Sequence, residues 1–170
     1  MDVAEVLVDG LGRVRDGVHA VVGGLSSDQL SFRPDAEANS IAWLVWHLTR
    51  VQDDHVAAAA DRDQRWGADD WVARFGLPFD VDATGYGQDA AAVGAVRTGA
   101  TLLTGYYDAV HGATEAFLQR LEGSDLDRIV DRRWDPPVTL GVRLLSVIDD
   151  DLEHVGQARY VRGLGARRGW

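Results

Sequence analysis

Four stretches of this 170-residue sequence repeat apolar residues at intervals of three and four, the spacing that lays one apolar stripe along a helix. The first runs from Asp2 to Val22, with Val3, Val6, Leu7, Leu11, Val14, Val18 and Val21 in register, and Gly23-Gly24 supplies a helix stop. Ser40 is suited to cap the second, in which Ile41, Leu44, Val45, Leu48 and Val51 continue one face to about Ala60. The third spans Asp89 to Leu121 through Val93, Val96, Leu103, Tyr107, Val110 and Phe117, and Gly123-Ser124 closes it. Thr139 caps the fourth, which reaches about Leu164 with Leu140, Leu144, Val147, Ile148, Asp151 and Val155 inward. No segment alternates with a period of two. The sequence therefore predicts an all-α fold, a four-helix bundle in a single domain over 1–170.

Two connections are long. Residues 61–87 hold the breakers Gly67, Gly76, Pro78, Gly85 and Gly87, yet also Trp66, Trp71, Phe75 and Phe79. So many aromatics do not suit a solvated linker, and the segment is expected to fold down onto the domain and cover part of it. Residues 26–39, with Pro34, read as a loop, and a second irregular stretch contains Trp134-Asp135-Pro136-Pro137.

Composition removes several chemistries. There is no Cys, so disulfides, thiolate metal sites and cysteine nucleophiles are excluded. Every basic residue is Arg, which removes lysine phosphate loops and Schiff bases. A formal charge of −10 argues against a nucleic-acid partner. Met1 to Glu5 lacks the basic and apolar regions of a secretory signal, and no run of about eighteen apolar residues exists to cross a membrane. The expected location is cytoplasmic, with no membrane partner. Any metal would be held by His, Asp and Glu alone.

Five His are present: His19, His47, His55, His111 and His154. His47 is embedded in Trp43-Leu44-Val45-Trp46-His47-Leu48 and must be at least partly buried. Asp150 and His154 are four residues apart on the fourth helix, so both can grip one ion from one face. With His47 from the second helix they make a two-His, one-carboxylate set, which suits a divalent ion and leaves positions open for substrate. The spacing alone leaves other readings open: a hydrogen-bonded core histidine, and a solvated or Arg-paired patch at Asp149-Asp150-Asp151. Glu153 points about 100° away from His154 and is not expected to ligate. His55, two turns beyond His47, is a channel candidate or a structural residue; Tyr106, Tyr107 and His111 can reach the cavity, although core packing is the simpler expectation. Gln157 is placed to bond at the cavity mouth or a dimer face. Arg159 and Arg162 can fork a substrate carboxylate, although surface pairing is the simpler expectation. His19 is expected to be exposed.

The phrase Asn39-Ser40-Ile41-Ala42-Trp43-Leu44-Val45-Trp46-His47-Leu48 resembles the second-helix signature of the DinB-like superfamily, and Asp151 to Gly163 resembles its fourth-helix signature. Leu30 to Pro34 and Trp134 to Gly141 are similar to actinobacterial members, so the likeness spans nearly the whole chain. It implies an up-down-down-up bundle, a homodimer, and a metal held by one His on helix two and two at i, i+4 on helix four. Matched by position, His47 and His154 take the first and last ligand places. Asp150 falls where the family usually has His, a departure that bears on affinity and metal choice. Similar members include mycothiol-dependent enzymes of the maleylpyruvate isomerase kind, whose metal binds the cofactor as a thiolate. The implied function is a metal-dependent thiol transferase or isomerase acting on a small-molecule thiol and an electrophile, with zinc or nickel and mycothiol as cofactors. The alternative is a non-catalytic bundle that binds a small molecule or self-associates, its metal site degenerate.

Overall fold

A computed structural model describes residues 1–170. The chain is mostly helical. Eight helices occur in order: α1 (Val3–Val22), α2 (Ser27–Leu30), α3 (Ile41–Ala59), α4 (Arg65–Ala68), α5 (Trp71–Phe75), α6 (Ala90–Ala95), α7 (Ala100–Leu118) and α8 (Leu140–Arg167). Strands β1 (Ile129–Asp131) and β2 (Val138–Thr139) form a two-stranded antiparallel ribbon before α8, pairing Ile129 with Thr139 and Asp131 with Val138. No helix is long and apolar enough to cross a membrane.

The ends of the long helices follow from the capping residues. Asp2 accepts from the Glu5 N–H while Glu5 reaches back to Asp2, a reciprocal cap that satisfies two orphan donors of α1. Ser40 accepts from Trp43 and Thr139 from Val142 in the same way. Four differences from the sequence reading have local causes. The predicted 89–121 helix is two: α6 ends at Ala95, Val96 is extended, and α7 restarts at Ala100 behind Gly99. Val93, Val96 and Leu103 are all buried, so apolar periodicity runs through a break in the backbone. Within the predicted loop 26–39, Ser26 and Gln29 cap each other around the single turn of α2, too short for a periodic signal. The β ribbon offers too few residues for alternation to register. At the far end, α8 runs one turn past Leu164.

The four long helices pack around one cluster of 31 buried apolar residues: α3 on α7 and α8, and α1 on α7 and α8. Helices α3 and α8 run antiparallel, because His47 faces His154 while His55, further along α3, meets Arg143 near the start of α8. α1 lies parallel to α8. A Cβ added at Gly10 would touch Ile148, and one at Gly17 would stand 2.6 Å from Val155 Cγ1, so only glycine permits this approach. Helix α3 is buried all round from Ile41 to Arg50. Its outer side is covered by the 61–87 segment, whose Trp66 and Trp71 are buried against Tyr106 of α7, as the aromatic content predicts. A helix apolar on every side is one that something covers.

Candidate metal centre

His47 is 6% exposed, and its ring stacks on Trp43 one turn earlier at 4.6 Å between centroids. Its Nδ1–H donates to the carbonyl of Thr84 at 2.6 Å. A carbonyl can only accept, so this bond places the proton on Nδ1 and leaves the Nε2 lone pair free, as in metal-ligating histidines oriented by a backbone acceptor. Burial, first, and the neighbouring His154 lower the His47 pKa, against the Thr84 bond and Asp150, which raise it. The neutral, ligating form is therefore favoured.

His154 meets His47 edge-to-face at 4.8 Å. Its Nδ1 bonds Gln157 Oε1 at 3.2 Å, one turn on, and its Nε2 lies 3.6 Å from Asp150 Oδ1. Gln157 thus serves His154 directly. Asp150 is half-buried, and its Oδ2 is buried with no hydrogen-bond partner. One ligand atom each from His47, Asp150 and His154 falls within 4.8 Å of the others. Around one zinc-like ion at ligand distances of about 2.1 Å, donors stand roughly 3.4 Å apart, so small side-chain movements close the set. Two imidazole nitrogens held by second partners, beside a carboxylate oxygen lacking one, fit a divalent cation.

His47 and Asp150 open onto a cavity of about 400 Å³, whose walls include Asp54, His55, Tyr86 and Ser146. Tyr86 is 93% exposed between Gly85 and Gly87, both at positive φ. His55 belongs to the cavity wall and not to the ligand cluster; it lies between Arg143, 3.2 Å away, and Asp54.

Other candidates lie elsewhere. Tyr106 and Tyr107 are core residues, and the Tyr106 hydroxyl donates to Asp53, away from the cavity. His111 stacks on Tyr107. Arg162 caps the C-terminus of α1, donating to the carbonyls of Ala20, Val21 and Gly23 at 2.8 to 3.0 Å, so it is committed to structure. Arg159 lies over Gly17. His19 is half-buried and bonds Asp108 at 2.9 Å, where exposure was expected. Glu153 and Asp149 face solvent, while Asp151 is wholly buried.

Sequence reasoning missed the Thr84–Gly85 contact. The carbonyl that holds His47 carries no side-chain signature, and the clue was Gly85 itself. It sits at φ 100°, and a Cβ there would stand 2.6 Å from His47 Nδ1. Only glycine lets this strap close on the imidazole.

A family model described as mycothiol-S-transferase matches residues 6–166. No curated protein matches the chain. Among solved structures, a conserved protein from Enterococcus faecalis superposes with a TM-score of 0.89 at 28% identity, covering 95% of this chain and 96% of its own.

Proposed function

This chain belongs to the mycothiol S-transferase family of the DinB-like group, and on that premise we propose that it binds a divalent metal through His47, Asp150 and His154 and activates a mycothiol-type thiol for transfer or isomerisation. The observation that carries the reading is the unpartnered Asp150 oxygen beside two imidazoles whose Nδ1 atoms are already engaged. The finer architecture goes with it: one domain, arranged as an up-down-down-up four-helix bundle, working in the cytoplasm. Val142, Leu145 and Leu152 leave an exposed apolar stripe on α8 that suits a homodimer.

His47, Asp150 and His154 would hold a zinc or nickel ion, which would supply Lewis acidity that lowers a thiol's pKa. The protein's own groups do the rest. His47, kept neutral by burial and oriented by Thr84, presents Nε2; Gln157 turns His154 the same way. Asp150, the one carboxylate of the set, would leave a bound dication a net positive charge. The cavity walls offer carboxylate, imidazole and hydroxyl groups at Asp54, His55 and Ser146, which can hydrogen-bond a hydroxyl-rich thiol. The 61–87 segment screens the reacting centre from water on the α3 side.

Cobalt-loaded protein titrated with mycothiol tests this. A thiolate-to-cobalt charge-transfer absorption should saturate at one thiol per chain and vanish in His154→Ala. Cobalt bound with no such absorption would leave a metal-binding module with no thiol chemistry.

A further inference from the structure

We propose that Arg50 is a positioning residue for this site, holding the 83–85 strap so that the Thr84 carbonyl fixes the tautomer and orientation of His47. The inference rests on the metal reading above for its consequence, but its geometry stands apart from it. Arg50 is three residues after His47, on the same face of α3. Its Nε donates to the carbonyl of Ala83 at 3.0 Å, while His47 Nδ1 donates to the next carbonyl, Thr84, at 2.6 Å. Two side chains one helical turn apart thus grip two successive carbonyls of a strap running backwards along the helix. Neither carbonyl can turn without disturbing the other.

Arg50 makes a second bond to the same segment. Its Nη1 donates to Gln64 Oε1 at 2.8 Å, and its guanidinium lies 5.0 Å from the Trp66 ring. Arg50 exposes no surface. A guanidinium wholly out of water is costly unless its donors are used. Here Nε and Nη1 join α3 to 61–87, Nη1 also lies 3.4 Å from the Tyr106 hydroxyl of α7, and Nη2 has no hydrogen-bond partner. Asp53, one further turn along, holds the Arg65 and Trp66 N–H groups at 3.0 and 2.8 Å. His47, Arg50 and Asp53 therefore form a polar stripe at i, i+3 and i+6. Its middle member ties the start of the segment, at Gln64, to its end, at Ala83. Glycine at 85 lets the strap approach, and Arg50 keeps it there.

The test reads His47 in the metal-free chain and zinc affinity separately. Nitrogen-15 NMR of the imidazoles should show wild-type His47 as the Nδ1–H tautomer. Arg50→Met should shift it toward a mixture and weaken zinc binding by about 10- to 100-fold, the usual effect of losing a group that orients a ligand. Arg50→Lys, which can still donate to one carbonyl, should restore part of both. Gln64→Leu removes one acceptor of the guanidinium, and the bond to Asp54 with it, but leaves Arg50 and its Ala83 contact in place. It should move tautomer and affinity in the same direction by a few-fold, and it serves if Arg50→Met does not fold. Unchanged tautomer and affinity in Arg50→Met, or in Gln64→Leu where Arg50→Met does not fold, would overturn the proposal. A tautomer that responds in a protein that never binds zinc would sustain the role of Arg50 in orienting His47 and refute the metal reading.

Discussion

Two carboxylates lie in the interior, Asp53 on α3 and Asp151 on α8, and neither exposes any surface. Around Asp53 the chain has gathered donors: the N–H groups of Arg65 and Trp66, the Tyr106 hydroxyl at 3.0 Å, and Arg62 at 3.6 Å. Around Asp151 there are none, and the Tyr107 hydroxyl, whose pKa burial raises, also lacks a partner. Burial pushes the Asp151 carboxyl well above the usual range, and the charge on Asp150 adds to this. The difference lies in what covers each helix. The 61–87 segment brings backbone donors to α3, whereas α8 turns Asp151 into the apolar core only because it follows Asp150 by about 100° of helix. A buried acid becomes a weld where the covering chain answers it, and a cost where it does not.

Substitutions at these positions sharpen the contrast. Asp53→Ala strands two N–H groups and the Tyr106 hydroxyl, and should cost about 3–5 kcal/mol in urea unfolding. Tyr106→Phe should cost about 1–2 kcal/mol, and the two losses should not add, since they share a bond. Losses that add fully would show the contacts to be independent.

The Asp151 side should behave oppositely, with smaller effects. Tyr107→Phe removes a hydroxyl that bonds nothing and should stay within about 0.5 kcal/mol of the parent or gain stability. For Asp151 the folded pKa exceeds the unfolded value of about 3.9, so the folded chain holds a proton that the unfolded chain has released. Stability from this group is complete below the unfolded pKa and is lost as pH rises toward the folded one. Asp151→Asn should flatten that decline and gain on the order of 1 kcal/mol at pH 7.5, measured with chelator present. Parallel pH curves for parent and variant would contradict this.

Much of the scaffold was legible. Ser40 and Thr139 mark helix starts because their side chains must satisfy orphan N–H groups, and both do so. The break between α6 and α7 was hidden because Val93, Val96 and Leu103 reach the same core from both sides of it. In the site, Asp150 and His154 were readable from their spacing and His47 from its apolar surroundings. The strap at Thr84 was not, since a backbone carbonyl is present at every position and only the tertiary path aims one at His47. Arg50 and Asp53 did carry a signal: charged residues in an otherwise apolar, all-round buried helix have to be answered by something folded over them.

The central claim is that His47, Asp150 and His154 act together on one cation. Isothermal titration of zinc into untagged, metal-stripped protein tests it most directly. One ion per chain should bind to the parent, with the affinity falling at least tenfold in each of His47→Ala, Asp150→Ala and His154→Ala, and kept or tightened in Asp150→His. Equal affinity across all five proteins, or no binding to the parent, would contradict the account.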